Sequence, residues 1–344
     1  MRIDFVAFSF RTFDGYGRYS SHTIAALQKL GCDVMPLFPE HVNMPEWMKQ
    51  QVGIGKEIFT ISCLPPYLLQ KSPSGGRHWL LSMTEGSDLP DHWADEINDS
   101  DVERVIVPCE ANAQTFRDGG VKVPVHVIPG GTDPDEFPVI ERSVSDNYTF
   151  LALGDRGARK GWTEVYSAFF KAFGTPEETP NIRLIIKCRP GGNELLDVLA
   201  NVTGLDPRIE IRIKDQDMRQ LYAEADCFAI PSRCEGWGMP MREASMSGLP
   251  VIVQQHSGLD DGHTDQWAIA LTKGHTEPIP KRMGHIKGTW TGADVPELTQ
   301  AMRWCFDNPL DASKKGRRAA EWLRINQTWR HSATKLLELI QEYS

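Results

Sequence analysis

Residues able to do chemistry gather in three glycine-containing loops, each behind an apolar run and ahead of an amphipathic one. The densest reads Pro231-Ser232-Arg233-Cys234-Glu235-Gly236-Trp237-Gly238-Met239-Pro240-Met241-Arg242-Glu243-Ala244 and follows the buried-looking run Cys227 to Ile230. Gly236 and Gly238 lack a Cβ and let backbone amides come close to a ligand, while Pro240 suits a first helical turn, where its missing N–H costs nothing. An anion can sit on such a helix start. A second loop, Leu153 to Trp162, carries Arg156, Arg159 and Lys160 beside Asp155. A third, Phe13-Asp14-Gly15-Tyr16-Gly17-Arg18-Tyr19, follows Ile3 to Phe8, and Gly15 and Gly17 again permit close backbone approach. Each has a plainer reading: Glu243 as a first-turn glutamate favoured by the helix dipole, the basic loop as a solvated turn, the third loop as an ordinary βα connection.

These loops need a scaffold of strands and helices. The first half alternates Ile3 to Phe8, Tyr19 to Leu30, Val34 to Leu37, Val105 to Val107 and Ala111 to Phe116. The second repeats the habit with Thr149 to Leu153, Trp162 to Phe173, Arg183 to Lys187, Met218 to Ala225, Cys227 to Ile230, Met241 to Ser247 and Val251 to Val253. Strand, helix, strand alternation predicts two α/β domains with parallel sheets, which 344 residues also favour. Gly130 to Asn147, rich in Gly, Pro, Asp and Ser, reads as their connection. The expected boundaries are 1–140, 141–325 and a terminal segment 326–344 that returns to the first domain. Val295 to Phe306 and Asp311 to Tyr343 read as helices with Trp304, Trp322, Leu323 and Trp329 available for packing, and Glu40 to Ser74 is irregular apart from a weak strand at Ile58 to Ile61.

Glu235 and Glu243, followed by Ala244-Ser245-Met246-Ser247-Gly248-Leu249-Pro250-Val251, resemble the donor-site motif of retaining glycosyltransferase family 4, which has the GT-B fold. That resemblance implies two Rossmann-like domains facing a central cleft, closed by C-terminal helices. It implies that Glu235 contacts the donor sugar and Glu243 holds the ribose hydroxyls, with Gly236, Trp237, Gly238 and Met239 also on the donor; a carboxylate can accept from two vicinal hydroxyls at once. Leu153 to Trp162 resembles the family's phosphate-binding loop, which assigns the donor diphosphate to Lys160 and an arginine. Asp155 stands where that arginine commonly lies, so the role moves to Arg156 or Arg159. Fixed positive charge there would stabilise the leaving group without a metal or other cofactor. Gly15 and Gly17 resemble the glycine loop facing the diphosphate, and Met83-Thr84-Glu85 resembles a further first-domain segment; Glu85, Tyr16 and Arg18 become acceptor-side candidates. Val107 to Glu110 and Val127 to Phe137 extend the likeness, which runs from about Ile3 to Val253.

The rest is bounded more coarsely. A net charge of −9 argues against a generic grip on nucleic acid, and Lys281 to Lys287 and Lys314 to Arg318 read as solvated faces. Seven cysteines without a C-x-x-C pair read as reduced, mostly buried thiols, and the lack of a spanning or signal-like stretch predicts a cytoplasmic protein. Asp133-Pro134-Asp135, Asp215-Gln216-Asp217 and Asp99-Ser100-Asp101 satisfy a metal-binding D-x-D pattern without the strand context it needs, and His256 and His263 around Asp260 and Asp261 lack metal-ligand spacing. An oxidoreductase reading fails at Ser20, where the dinucleotide fingerprint wants a third glycine. The leading expectation is a retaining, metal-independent transferase taking a UDP-sugar, against an epimerase or a non-catalytic nucleotide-sugar binder. The acceptor stays open among a glycan, a lipid-linked sugar, a small molecule, a protein and a modified DNA base. The last enters because the first domain also resembles phage-borne glycosyltransferases that decorate 5-hydroxymethylated pyrimidines.

Overall fold

The computed structural model describes residues 1–11, 14–38, 59–69, 77–142, 147–154, 157–190, 206–283 and 286–343. The chain divides into two compact units, Met1–Gly131 with Ile279–Thr289 and Gln327–Ser344, and Thr132–Pro278 with Trp290–Asn326.

In the first unit β1 (Arg2–Ala7), β2 (Asp33–Leu37), β3 (Phe59–Cys63), β4 (Arg77–Leu81), β5 (Val102–Val107) and β6 (Val125–Val127) form a parallel sheet ordered β2-β1-β3-β4-β5-β6, accompanied by α1 (Gly15–Lys29), α2 (Trp93–Asn98) and α3 (Glu110–Asp118). The chain enters in the middle, adds β2 on one side, then returns to build β3 to β6 on the other. Pro36 sits on β2 at the sheet edge, where a missing N–H is tolerated. The expected strand at Ile58 to Ile61 is β3; Ile58, like residues 40–57 and 70–74 of the irregular stretch, lies outside the described residues. One group is out of place in this sheet: Asp4 is 1% exposed and neither carboxylate oxygen has a hydrogen-bond partner. Burial pushes its carboxyl up to about 6, with Arg2 opposing and Asp33 adding to the shift.

In the second unit β7 (Tyr148–Leu153), α4 (Trp162–Phe173), β8 (Ile182–Cys188), β9 (Ile209–Ile213), α5 (Met218–Glu224), β10 (Cys227–Ile230), α6 (Met239–Met246), β11 (Val251–Gln254), α7 (Thr264–Trp267) and β12 (Ile269–Leu271) give a second parallel sheet, ordered β12-β11-β10-β7-β8-β9. Phe150, Trp162, Val165, Phe169, Leu184, Ile186 and Ala229 pack one face; Leu151, Ile185, Tyr222, Phe228 and Met241 pack the other. Alternate residues of each strand therefore point into opposite cores, which is why these strands read as continuous apolar runs. Again the chain starts centrally, winds outward through β8 and β9, and reverses to place β10 on the free side of β7, with Cys227 opposite Phe150. A ribbon of β13 (Gly274–Pro278) and β14 (Thr289–Ala293) brackets residues 279–288.

The C-terminal region holds three helices, α8 (Val295–Asp307), α9 (Pro309–Asn326) and α10 (Trp329–Glu342). Within the helical segment expected over Asp311 to Tyr343, Gln327 and Thr328 separate α9 from α10, because Thr328 caps α10: its hydroxyl accepts from the His331 backbone N–H while His331 turns back to the cap. Trp329 packs edge-on to Tyr19 and stacks on His22, and a Cβ on Gly131 would stand 2.1 Å from the Trp329 nitrogen, so α10 belongs to the first unit. Leu323 and Trp329 are buried as expected, whereas Trp304 is 40% exposed and packs little. All seven cysteines are free and all but Cys32 are buried. Among the described residues no helix is long and apolar enough to cross a membrane. Among the described residues of the two basic runs, Lys287 pairs with Asp91, Lys314 with Asp311 and Arg317 with Glu141.

Candidate active site

Ligands of open α/β sheets bind beyond the carboxyl ends of the strands where the strand order reverses. In the second unit that point lies between β7 and β10, and the loops that leave these two strands are the ones carrying Lys160 and Glu235. A short 3-10 turn, Gly157–Lys160, and then Gly161 with φ +70° lead into α4; a Cβ on Gly161 would lie 2.1 Å from the Pro231 carbonyl, so glycine lets the two loops touch. The contact is stitched by the Arg233 N–H donating to the Arg159 carbonyl at 2.7 Å.

Three predicted residues meet here. Lys160 Nζ lies 2.7 Å from Glu235 Oε1 and Arg159 Nη1 3.2 Å from Glu235 Oε2, while Arg159 Nη1 also donates to the Cys234 carbonyl at 2.7 Å and the Ser232 hydroxyl bonds the same Glu235 carboxylate. Arg159 is 6%, Lys160 9% and Glu235 5% exposed. Burial alone would raise the Glu235 carboxyl, but Arg159 and Lys160 outweigh it and hold the group at about 2, so Glu235 is an anion at any ordinary pH. Two buried cations share this one carboxylate, so an anionic ligand brought beside them would meet positive charge already fixed in place.

The glutamate loop is held from behind. The Glu235 backbone N–H donates to Ser257 Oγ at 3.0 Å, its carbonyl accepts from Gly258 N–H at 2.8 Å, and a Cβ on Gly258 would fall 2.4 Å from the carbonyls of both Glu235 and Gly236. His256 Nε2 lies 2.9 Å from the Ser232 carbonyl, an acceptor, so the ring's proton sits on Nε2; burial depresses the imidazole pKa against that bond and against Glu235 and Asp260, leaving a neutral ring. Gly238, at φ +73°, starts α6, with Met239 and Pro240 in the first turn and the buried Glu243 one turn further on. A Cβ on Gly238 would meet Leu259 at 2.5 Å, so this glycine serves the chain's own packing. Gly236 and Trp237 are buried and Met239 is half-buried.

The remaining predicted residues fall in the first unit or outside the described residues. Arg156, Asp155 and Phe13 are outside the described residues. Gly15, Tyr16, Gly17 and Arg18 form the first turn of α1 in the first unit, capped by Asp14, whose Oδ1 accepts from Gly17 N–H at 2.6 Å. The absent Cβ of Gly17 makes room for the Arg11 carbonyl, 2.1 Å from where it would be. Tyr16 donates to the Met83 carbonyl at 3.2 Å and so secures the segment before the half-buried Glu85. The D-x-D aspartates have local tasks: Asp133 accepts from Asp135 N–H, Asp217 caps α5 and Asp101 binds His78. Among the described residues no three His, Cys, Asp or Glu side chains are grouped to hold a metal. Sequence reasoning assigned no role to Ser232, Ser257, Gly258 and Arg242, and read His256 and Asp261 as part of a polar loop that could border the donor sugar; the signal was the dense polar run after β11.

Residues 133–266 match the model of the family described as glycosyl transferases group 1. This segment is a group 1 glycosyl transferase domain. Arg159, Lys160, Glu235 and Glu243 all fall inside it. A mannosylfructose-phosphate synthase from Agrobacterium fabrum is 29% identical over 157 residues, 39% of this chain and 33% of the relative, so the chain spans about a third of that enzyme's length. Sucrose-phosphate synthase from Thermosynechococcus elongatus superposes with a TM-score of 0.76 at 15% identity over 100% of this chain and 99% of that one. Anabaena HepE, solved with UDP and glucose, gives 0.68 at 14% identity over 99% and 100%. At such identity these likenesses speak for the fold, which is GT-B, as the motifs implied.

Proposed function

We propose that this chain is a glycosyltransferase that moves a sugar from a nucleotide diphosphate, a UDP-sugar, onto an acceptor hydroxyl with retention of configuration and without a metal. The observation that carries the reading is the buried cluster of Arg159, Lys160 and Glu235, two cations about one carboxylate, at the strand reversal of the group 1 domain. As the bond from the anomeric carbon to the diphosphate breaks, its electron pair stays with the leaving phosphate. Lys160 and Arg159, with the amides at the start of α6, stabilise that charge most when it is fully developed. Glu235, locked as an anion, orients the donor sugar through its hydroxyls, and Glu243 holds the ribose. UDP as the nucleotide is supported by the HepE complex.

The test is turnover of UDP-glucose, GDP-mannose and ADP-glucose, alone and with glycan, lipid-linked, small-molecule and hydroxymethylated-DNA acceptors, in the presence of EDTA. Sugar transfer that survives the chelator is expected, and Lys160→Ala should lower kcat about a hundredfold to a thousandfold. Activity lost to EDTA and restored by magnesium would overturn the side-chain counter-charge. A Lys160→Ala variant with normal kcat would remove the loop from the site.

A further inference from the structure

Arg242 is fully buried on α6 and stands immediately before Glu243, yet nothing in the reaction outlined above uses it. Its guanidinium joins the 235–238 loop to the 257–261 segment. Nη2 donates to Asp261 Oδ2 at 2.7 Å, while Nη1 donates to the Trp237 carbonyl and lies 3.3 Å from the Gly258 carbonyl. The plane is held between two rings, its carbon 3.6 Å from the centre of Trp237 and 4.5 Å from that of Trp267. Asp261 is fixed in turn, since its Oδ1 accepts from Trp267 Nε1 at 3.3 Å and from the His263 N–H at 2.9 Å.

A residue needed only to fill this space could be apolar, because a buried ion pair brings little net stability over well-packed hydrophobic side chains of the same volume. What an apolar residue cannot do is receive several acceptors in one plane and stack at the same time, which is the particular capacity of arginine. The acceptors are informative. Trp237 O belongs to the glutamate loop, and Gly258 O belongs to the residue whose own N–H binds the Glu235 carbonyl. A continuous path therefore runs from Arg242 through Gly258 to the backbone of Glu235, and from its carboxylate to Lys160 and Arg159.

We infer that Arg242 is a positioning residue: its guanidinium, clamped by Asp261, Trp237 and Trp267, sets the register of the 235–238 loop against the 257–258 turn, and thereby where Glu235 meets the donor sugar. The inference rests on the glycosyltransferase reading for its catalytic consequence, while the geometric part stands on its own. Misplacement of a contacting group by about an ångström can cost on the order of a hundredfold in rate without changing the chemistry. Glu243 reaches the nucleotide from α6 itself, so the loss should fall on the sugar end of the donor.

The experiment compares wild type with Arg242→Met/Asp261→Asn, in which both charges go together so that no unpaired ion stays buried, and with Arg242→Lys, which keeps the charge and loses the fork. Two readouts are taken: hydrogen exchange of the amides at 235–238 and 257–258, and steady-state cleavage of whichever of UDP-glucose, GDP-mannose and ADP-glucose the wild type uses fastest. In the double variant those amides should exchange at least about tenfold faster than in wild type while the amides of β7 and β10 keep their protection. Its kcat should fall about tenfold to a hundredfold, with KM for the donor changed less than about threefold. The lysine variant should lie between the two. Unchanged exchange and unchanged kcat in either variant would reduce Arg242 to core packing, and the lysine variant decides if the double variant does not fold. Should the wild type cleave none of the donors, the glycosyltransferase reading fails while the exchange data still decide the clamp.

Discussion

Glu235→Gln should weaken the empty protein and strengthen its response to a nucleotide. Glu235 is 5% exposed and is the carboxylate common to Lys160 at 2.7 Å and Arg159 at 3.2 Å, so the amide takes this anion away from two buried cations. Removing one partner of such a buried cluster costs about 3–5 kcal/mol. In a folding unit of roughly 150–250 residues each kcal/mol lowers Tm by about 2–4 °C, so a fall of about 6–20 °C is expected in nucleotide-free buffer. The loss depends on pH in a defined sense. The Glu235 carboxyl is depressed to about 2, so its contribution is complete above the ordinary glutamate value and disappears as pH drops below it towards 2, and the gap between wild type and variant should narrow over the same range. A diphosphate brought to the same cations supplies the missing charge, so saturating UDP should raise Tm more in the variant than in wild type. Differential scanning calorimetry with and without UDP reads both effects. A variant that melts like wild type, or whose lowered Tm UDP restores no better than it raises that of wild type, would refute the assignment of Arg159 and Lys160 to the donor diphosphate.

Gly258→Ala forces a methyl to within 2.4 Å of the Glu235 and Gly236 carbonyls, a backbone clash that must displace the glutamate loop; a stability loss of about 1–3 kcal/mol by urea titration, with at least about a tenfold loss of kcat, is expected, and unaltered kinetics would mean the loop tolerates the shift. Asp4→Asn should stabilise the first unit at neutral pH. The native carboxyl titrates near 6 against 3.8 for an ordinary aspartate, so folding favours the protonated form and stability falls as pH rises from about 4 to 6, by up to about 3 kcal/mol. Denaturant unfolding at about pH 4 and pH 7.5 checks this: the gain should be present at the higher pH and small at the lower, and a gain equal at both would point to packing.

Much of the candidate site was legible because its signals are local. Pro240, Gly238 and the strand Cys227–Ile230 state in about a dozen residues that a loop leaves a buried strand and enters a helix, and Lys160 follows β7 in the same manner. What brings the two loops together is the strand order, since β7 and β10 are neighbours although far apart along the chain, and no window of sequence contains that fact. The supporting residues were harder still. Gly258, Ser257 and Arg242 act through backbone carbonyls and amides of other segments, so their types carry no spacing to recognise. Gly17 carries a packing requirement that the sequence does not show: a glycine near a helix start permits close approach, and one approaching group is the chain's own Arg11 carbonyl. β4 escaped notice because Arg77 and His78 break the apolar run, and the buried His78 ring bonds Ser62 at 2.7 Å and Asp101 at 2.9 Å.

The position of α10 has a consequence for how the molecule is made. Residues up to Gly131 leave the ribosome first, yet their unit is finished only when Ile279–Thr289 and then Trp329–Glu342 have been added, because Tyr19, His22 and Gly131 all wait for Trp329. At about 5–20 residues per second, roughly 10–40 s pass between the emergence of the first sheet and that of its closing helix. The second unit is itself complete only at Asn326, so its last residue emerges just ahead of Trp329 and both units close over the same final stretch of synthesis. The nascent first sheet must therefore stay soluble with the ring of Tyr19 uncovered while the second unit is made, and a chain stopped short of Trp329 would carry a complete second unit and a first unit that can never be finished.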